Sequence, residues 1–322
     1  MNLPENYKYI GAFLTMRCNL NCEFCLNKME QSTFKKLRTK IVGGLERELT
    51  GEEWVSALNE WKTRDVPITF SGGEPTLHRD FIYILNHLKK ETQIHLLTNL
   101  NWGTKFTNKF LDNVDPDRFK LLMKHLLPFP DTETGTDIIW EYVDSNKYAP
   151  IRVSYHPSQM GDGKELVERA SLLKQNGFNL CIYSVLYPSN EQLTAINQMQ
   201  YRCKDADLDF RVKEFVGQYK GDVYGNYSKY PDASFQNNRQ HKMCKTSELL
   251  IRPDGSVYRC HRDLYAMQYR IGNIANPNDI PLDTFLPCSN YGECHPCDVK
   301  VKTNYKQQLG HTSVEIKNGK LD

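Results

Sequence analysis

Cys18-Asn-Leu-Asn-Cys22-Glu-Phe-Cys25 constrains this chain more than any other stretch. Three thiols on one short loop can hold three corners of a cubic 4Fe-4S cluster, which leaves the fourth iron without a protein ligand. An open iron invites a small-molecule ligand. The alternative is a structural zinc loop, but zinc normally takes four ligands, and no fourth Cys or His stands close by in the sequence. Tyr9 to Thr15, just ahead of the loop, is a short apolar and aromatic run that reads as a strand. The loop therefore leaves a strand's C-terminal end.

The 322-residue chain carries ten cysteines. Their meaning depends on compartment. No apolar run approaches the roughly 20 residues that span a bilayer, and the N-terminus lacks the apolar core of a signal peptide, so a cytoplasmic protein is expected. A net charge of +2 gives no bulk attraction to nucleic acid or membrane. In the cytosol thiols stay reduced, so clustered cysteines read as metal ligands rather than disulfides. Cys181 and Cys203 stand alone and read as buried apolar residues, the first in a strand and the second at a helix end.

Strand and helix patterns alternate along the first two thirds of the chain. A segment rich in Lys28, Lys35, Lys36, Arg38 and Lys40 reads as a solvated surface loop over 28–49, with a lid or donor-docking site as the alternative. Thr50-Gly-Glu-Glu53 is a capping box with Leu49 and Trp54 placed as a staple. Ile68 to Ser71 is a strand that runs into Gly72-Gly73-Glu74-Pro75, Asp80 is placed to cap the next helix, and Ile94 to Asn99 is a third strand. Residues 101–148 read as a long, partly helical connection. Ile151 to His156 alternates, so if Ile151, Val153 and Tyr155 face helices, Arg152, Ser154 and His156 face the opposite, interior side. For a lone His there, a hydrogen-bonded structural role is equally open. Gly177 ends a helix begun near Leu166, Leu180 to Leu186 is a fifth strand, Ser189 caps another helix, and Leu208 to Glu214 is a sixth strand. Its alternation turns Arg211 and Lys213 inward, where with Arg152 they would make a cationic lumen for an anionic substrate group, unless Asp209 or Glu214 neutralises them. Such alternation implies parallel strands joined by right-handed crossovers.

The three-cysteine spacing, with an aromatic before the last Cys and a Gly-Gly-Glu-Pro turn about fifty residues on, resembles the radical S-adenosylmethionine (SAM) enzymes. That resemblance covers roughly residues 8–216 and implies an α/β fold, a partial (β/α)6 TIM-type barrel. It implies that Cys18, Cys22 and Cys25 hold the cluster and that SAM is cleaved to methionine and a 5'-deoxyadenosyl radical. Phe24 would pack near adenine. Gly72, Gly73 and Glu74 would hold the methionine end, the glycines leaving backbone groups free for its ammonium and Glu74 adding negative charge. Thr98 and Asn99 would lie near SAM, and Arg152, Ser154 and His156 would contact its ribose and carboxylate. A flavodoxin or ferredoxin would supply electrons.

Cys244, Cys260, Cys288, Cys294 and Cys297 form a second group. Leu249 to Tyr258 reads as two short strands around Pro253-Asp254-Gly255, a hairpin able to bring Cys244 and Cys260 together. The arrangement resembles the opening of the SPASM and Twitch extensions of radical SAM enzymes, which hold auxiliary iron-sulfur clusters. The expectation is a barrel over 1–216, a linker over 217–243, a small cysteine-rich α+β domain with one auxiliary 4Fe-4S cluster over 244–300, and a mobile tail over 301–322. Cys244, Cys260, Cys294 and Cys297 are the preferred ligands, with Cys288 as a replacement or bystander, and tetrahedral zinc as the alternative guest. Three-thiol binding would leave an open iron for substrate. The expected activity is radical SAM oxidoreductase or lyase chemistry on an anionic small molecule such as a sugar, nucleotide or amino-acid derivative. A peptide substrate and a non-catalytic metal protein are the alternatives.

Overall fold

A computed structural model describes residues 1–25, 47–63, 66–119, 149–236, 238–303 and 310–319, together with the backbone of 126–130 and 138–142. The basic segment expected as a surface loop lies outside the described residues up to position 46.

The first eight strands are β1 (Tyr9–Thr15), β2 (Ile68–Gly72), β3 (Ile94–Thr98), β4 (Leu126–Pro130), β5 (Ile138–Tyr142), β6 (Ile151–Tyr155), β7 (Leu180–Leu186) and β8 (Phe210–Glu214). Short strands follow: β9 (Gly217–Tyr219), β10 (Asp222–Tyr224), β11 (Gln240–Thr246), β12 (Glu248–Ile251), β13 (Ser256–Tyr258), β14 (Gly272–Asn273), β15 (Leu286–Tyr291) and β16 (Val314–Lys317). The helices are α1 (Gly51–Asn59), α2 (Phe81–His87), α3 (Thr104–Asn113), α4 (Pro157–Met160), α5 (Lys164–Gln175), α6 (Asn190–Asp205), α7 (His261–Ala266) and α8 (Pro296–Val299).

A nine-stranded sheet in the order β14-β13-β12-β1-β2-β3-β6-β7-β8 organises the molecule, and every pairing from β12 to β8 is parallel. The fold is thus mixed α/β around a large parallel sheet. Period-two alternation gives that sheet two unlike faces. One face sends Ile10, Ala12, Leu14, Ile68, Phe70, Ile94, Leu96, Ile151, Val153, Tyr155, Leu180 and Ile182 into a core shared with Trp54, Leu58, Phe81, Ile84, Phe110, Leu173 and Met199 from the helices. The other, inner face carries Thr69, Ser71, His95, Arg152 and Ser154 along its middle, and is plugged at the β1 and β12 end by Phe13, Leu250, Tyr258 and Leu264. The helical ends follow the local chemistry. Thr50 and Glu53 form the reciprocal capping box, with bonds of 3.2 and 2.8 Å. Ser189 accepts from Gln192 N, and Gly177 adopts φ +86° just past α5.

The structure departs from the sequence reading at several points. Asp80 does not cap α2; its carboxylate accepts a 2.9 Å bond from Gly51 N and so serves α1, because α1 and α2 pack side by side. The long connection 101–148 holds α3 but also the antiparallel pair β4 and β5, whose Leu-Leu-Pro-Phe-Pro strand carries two prolines that argue against a ladder. Residues 217–243 include the β9–β10 hairpin and the start of β11. The hairpin expected within the cysteine-rich unit, β12–β13, extends the main sheet past β1. The C-terminal stretch is no free tail: β16 pairs with β11, burying Val314 against Ala233 and Val299. Its two apolar positions are too few to show a period in sequence; the ladder with β11 supplies the order.

Candidate active site

Backbone approach explains the glycine turn. Gly73 N donates to Thr15 O at 2.9 Å and Glu74 N to Arg17 O at 2.8 Å, stitching the turn to the chain that enters the cysteine loop. A Cβ on Gly72 would stand 2.1 Å from Thr15 O, and one on Gly73 2.1 Å from Arg17 O. Gly72 also holds φ +126°, a region side chains rarely enter. The N–H groups of Gly73 and Glu74 are thus used within the protein, whereas an ammonium, itself a donor, would need carbonyl oxygens.

Glu74 is engaged within the protein. It is only 1% exposed, and its carboxylate accepts from Thr76 N, Thr76 Oγ1 at 2.6 Å, Thr98 Oγ1 at 2.7 Å and Asn99 N at 2.7 Å. Burial raises its pKa although these donors pull the other way. The side chain ties the end of β3 to the glycine turn.

Asn99 carries that connection to the loop. Its Nδ2 lies 3.8 Å from Cys18 Sγ and donates to Asn19 Oδ1 at 2.7 Å, while Asn19 Nδ2 donates to Asn101 O. Asn21 N donates to Gln159 Oε1 beside α4, and Cys25 N to Cys22 O. Cys18 is exposed, Cys22 buried and Cys25 half-buried, and all three are free thiols. The loop is thereby fixed above the C-terminal ends of β1, β3 and β6. Three thiols so gathered, with no disulfide among them, fit a cubane bound through three corners.

Phe24 stands between His156, with ring centroids 5.6 Å apart, and Tyr187, stacked at 4.9 Å. Burial holds the His156 pKa down to about 4, so the imidazole is neutral near pH 7, and its Nδ1 is buried without a partner among the described residues. Beside this group a cleft of about 340 Å³ is lined by Glu23, Phe24, Pro157 and Tyr187. Arg152 is buried on the inner face, its Nη2 3.5 Å from His95 Nδ1, and Ser154 is half-buried next to it on β6. Of the two inward cations expected on β8, Arg211 is neutralised by Asp209 at 2.6 Å. Lys213 is not. Its ammonium lies 4.6 Å above the Tyr183 ring, the nearby Glu214 is engaged by Lys300, and no carboxylate pairs with Lys213 among the described residues. More than a third of its surface is open to solvent although protein surrounds its ammonium. That enclosure, with the Arg152 charge facing it, pulls its pKa down to about 7. Cys181 and Cys203 are fully buried, and burial pushes both thiols up to about 12.

The second group of cysteines divides. Cys244 on β11, Cys260 at the start of α7, Cys288 on β15 and Cys294 line one cavity with Arg259, Arg262, Asp263 and Asn290. Cys244 and Cys288 share a hydrogen bond that lowers the Cys288 pKa and raises that of Cys244. Cys297, a preferred ligand in the sequence reading, is not among the residues lining that cavity; Cys288 takes its place. On α8, Cys297 sits within electrostatic reach of Lys302, Lys213 and Tyr265.

Several residues escaped the sequence reading. Tyr187 follows β7 directly, and position at a strand's C-terminal end was the available signal. Tyr265 lies on α7 over the inner face, near both Cys25 and Cys297, and packs edge-on against Phe13. His261 donates from Nδ1 to Asp298 at 2.8 Å with Glu248 3.7 Å away; burial would lower its pKa, but the two carboxylates outweigh this and raise it. Nothing local in the sequence links these three.

The sequence can be compared with those of known proteins. A family model described as the radical SAM superfamily matches residues 13–193. A PqqA peptide cyclase of Rhodopseudomonas palustris is 36% identical over 88 residues, 27% of this chain and 20% of that protein. A probable GTP 3',8-cyclase of Methanocella arvoryzae is 30% identical over 135 residues, 38% of this chain and 40% of that protein. The chain therefore spans less than half the length of either relative. A tungsten-containing aldehyde ferredoxin oxidoreductase cofactor-modifying protein of Pyrococcus furiosus is 25% identical over 80% of this chain and 72% of its own length.

Proposed function

The chain belongs to the radical SAM superfamily, and from that premise we propose that it acts on a small molecule bearing an anionic group, taking hydrogen from an unactivated C–H bond. Membership makes it an enzyme that uses a 4Fe-4S cluster and SAM. These cofactors, when bound, supply a 5'-deoxyadenosyl radical, so the protein's own task is aim and exclusion of water.

In this reading β1, β2, β3, β6, β7 and β8 make a partial (β/α)6 barrel over residues 1–216, with the inner face as its concave side. Cys18, Cys22 and Cys25 hold the reducing cluster. The Gly72–Gly73 turn and Asn99 position the loop, while Arg152, Ser154 and His156 meet SAM's polar groups and Phe24 with Tyr187 its adenine. The observation that carries the proposal is the locking of the three-cysteine loop over that face by the Glu74, Thr98 and Asn99 bonds. Lys213, an ammonium without a described counter-ion at the far side of the face, supports an anionic substrate such as a sugar, nucleotide or amino-acid derivative.

Residues 244–300 would hold one auxiliary 4Fe-4S cluster able to accept an electron, which favours net oxidation or bond formation. The donor set fits: Cys244, Cys260, Cys288 and Cys294 line one cavity, and four thiolates are what a fully ligated cubane takes. About eight iron and eight sulfide per chain after anaerobic reconstitution is the expected count for two cubanes; about four of each, or zinc in their place, would remove the auxiliary cluster. A peptide substrate is the second reading, favoured by the similarity to PqqA peptide cyclase.

A further inference from the structure

Three residues that line the cavity of Cys244, Cys260, Cys288 and Cys294 each carry a buried N–H donor without an acceptor among the described residues. Arg259 is 3% exposed; its Nη1 donates to Leu286 O and Pro287 O and its Nη2 to Asp263, but Nε has no partner. Arg262 is 5% exposed; Nε and Nη2 are taken by Glu293, while Nη1 reaches only to 3.9 Å from Asp263. Asn290 is 3% exposed and its Nδ2 is likewise unpartnered among the described residues. Buried polar groups are nearly always satisfied; beside these three donors the lining holds an acceptor without a hydrogen bond among the described residues, Asp263 Oδ1, so donors stay in excess and fit a guest rich in acceptors. Backbone groups already point the same way: Asp263 N donates to Cys260 Sγ and Asn290 N to Cys288 Sγ, both at 3.5 Å.

We propose that Arg259, Arg262 and Asn290 form a hydrogen-bonding cradle for the sulfurs of the auxiliary iron-sulfur cluster and raise its reduction potential. The inference rests on the auxiliary-cluster reading above. Four thiolates and four bridging sulfides offer acceptors in several directions, whereas a lone cation offers none beyond its thiolates. Reduction adds negative charge to the cluster, so donated N–H groups and two guanidiniums stabilise the reduced form more than the oxidised one. A centre so tuned is the better electron acceptor, in keeping with a role in taking one electron from the substrate radical and so oxidising it.

The test uses the full chain with Cys18, Cys22 and Cys25 all replaced by Ala, so that the auxiliary centre titrates alone after reconstitution. Asn290→Leu removes a donor at similar volume, and Arg259→Lys keeps the charge but removes Nε. The expected result is a shift of the potential to more negative values in each, read by EPR-monitored redox titration. Should one variant fail to fold, the other carries the test, and resonance Raman spectra add a second readout: the Fe–S stretching modes should shift less in D2O in the variant than in the parent, since the backbone donors to Cys260 and Cys288 are common to both. A cluster that forms normally, with unmoved potential and an unchanged D2O shift in the variant, would overturn the cradle and leave the auxiliary cluster intact. Zinc, or no metal, in the cavity would overturn the auxiliary-cluster reading itself.

Discussion

The Thr98 hydroxyl donates a 2.7 Å hydrogen bond to the Glu74 carboxylate, joining the end of β3 to the glycine turn that follows β2. Through Asn99 the same junction reaches Cys18, so one buried acid couples two strand ends and the cysteine loop. Glu74→Leu strands four donors in the interior and should destabilise the fold by about 3 kcal/mol. Thr98→Val should cost about 1 kcal/mol. Urea unfolding of both variants checks the order, and equal losses would place the weight elsewhere.

Gly73→Ala should abolish SAM cleavage while leaving the global fold in place. The added Cβ would fall 2.1 Å from Arg17 O, pushing the turn off the chain just before Cys18. Gly103→Ala is the control, because nothing lies within 4 Å of a Cβ there. Circular dichroism and 5'-deoxyadenosine yield together separate a local from a global effect.

Lys213 predicts a pH dependence whose sign follows from its lowered pKa. Only the ammonium attracts an anion, so affinity for a fully ionised probe such as sulfate should be complete below about 7 and decline as pH rises through that value. Binding should take up protons, since the anion raises the pKa of the amine it meets. Calorimetry at pH 6 and pH 8.5 reads both effects, and Lys213→Met should remove the difference. Sulfate affinity independent of pH in the parent chain would count against Lys213 as the anchor.

The two outlying cysteines should behave differently. Cys288→Ala should lose the auxiliary iron, whereas Cys297→Ala should retain it, because Cys288 lines the cavity and Cys297 does not. Iron and sulfide counts decide this, and retention in Cys288→Ala with loss in Cys297→Ala would restore the assignment suggested by the C-x2-C spacing.

What the sequence made legible, and what it hid, has a physical pattern. Strong local signals transferred directly: the Thr50 capping box, the alternation of β6 and the bounds of β7 all rest on residues within a few positions of one another. The three cysteines and the Gly-Gly-Glu-Pro turn were legible as types, yet the bonds of Glu74 to Thr98 and Asn99 are a pairing no local pattern encodes. Asp80 served a neighbouring helix for the same reason. The fate of Cys297 against Cys288 depended on how β15 and α8 fold back beside β11, contacts separated by tens of residues. Polar β11, Gln-His-Lys-Met-Cys-Lys-Thr, shows no strand period of its own; β15 and β16 on either side hold it extended.

The central claim is that the loop of Cys18, Cys22 and Cys25 serves reductive cleavage of SAM, and the most direct measurement is 5'-deoxyadenosine formed when the reconstituted, dithionite-reduced protein meets SAM. The account predicts that product from the parent chain, even without substrate, and none from Cys22→Ala. No 5'-deoxyadenosine from a parent protein carrying its full iron content, or an undiminished yield from Cys22→Ala, would contradict it.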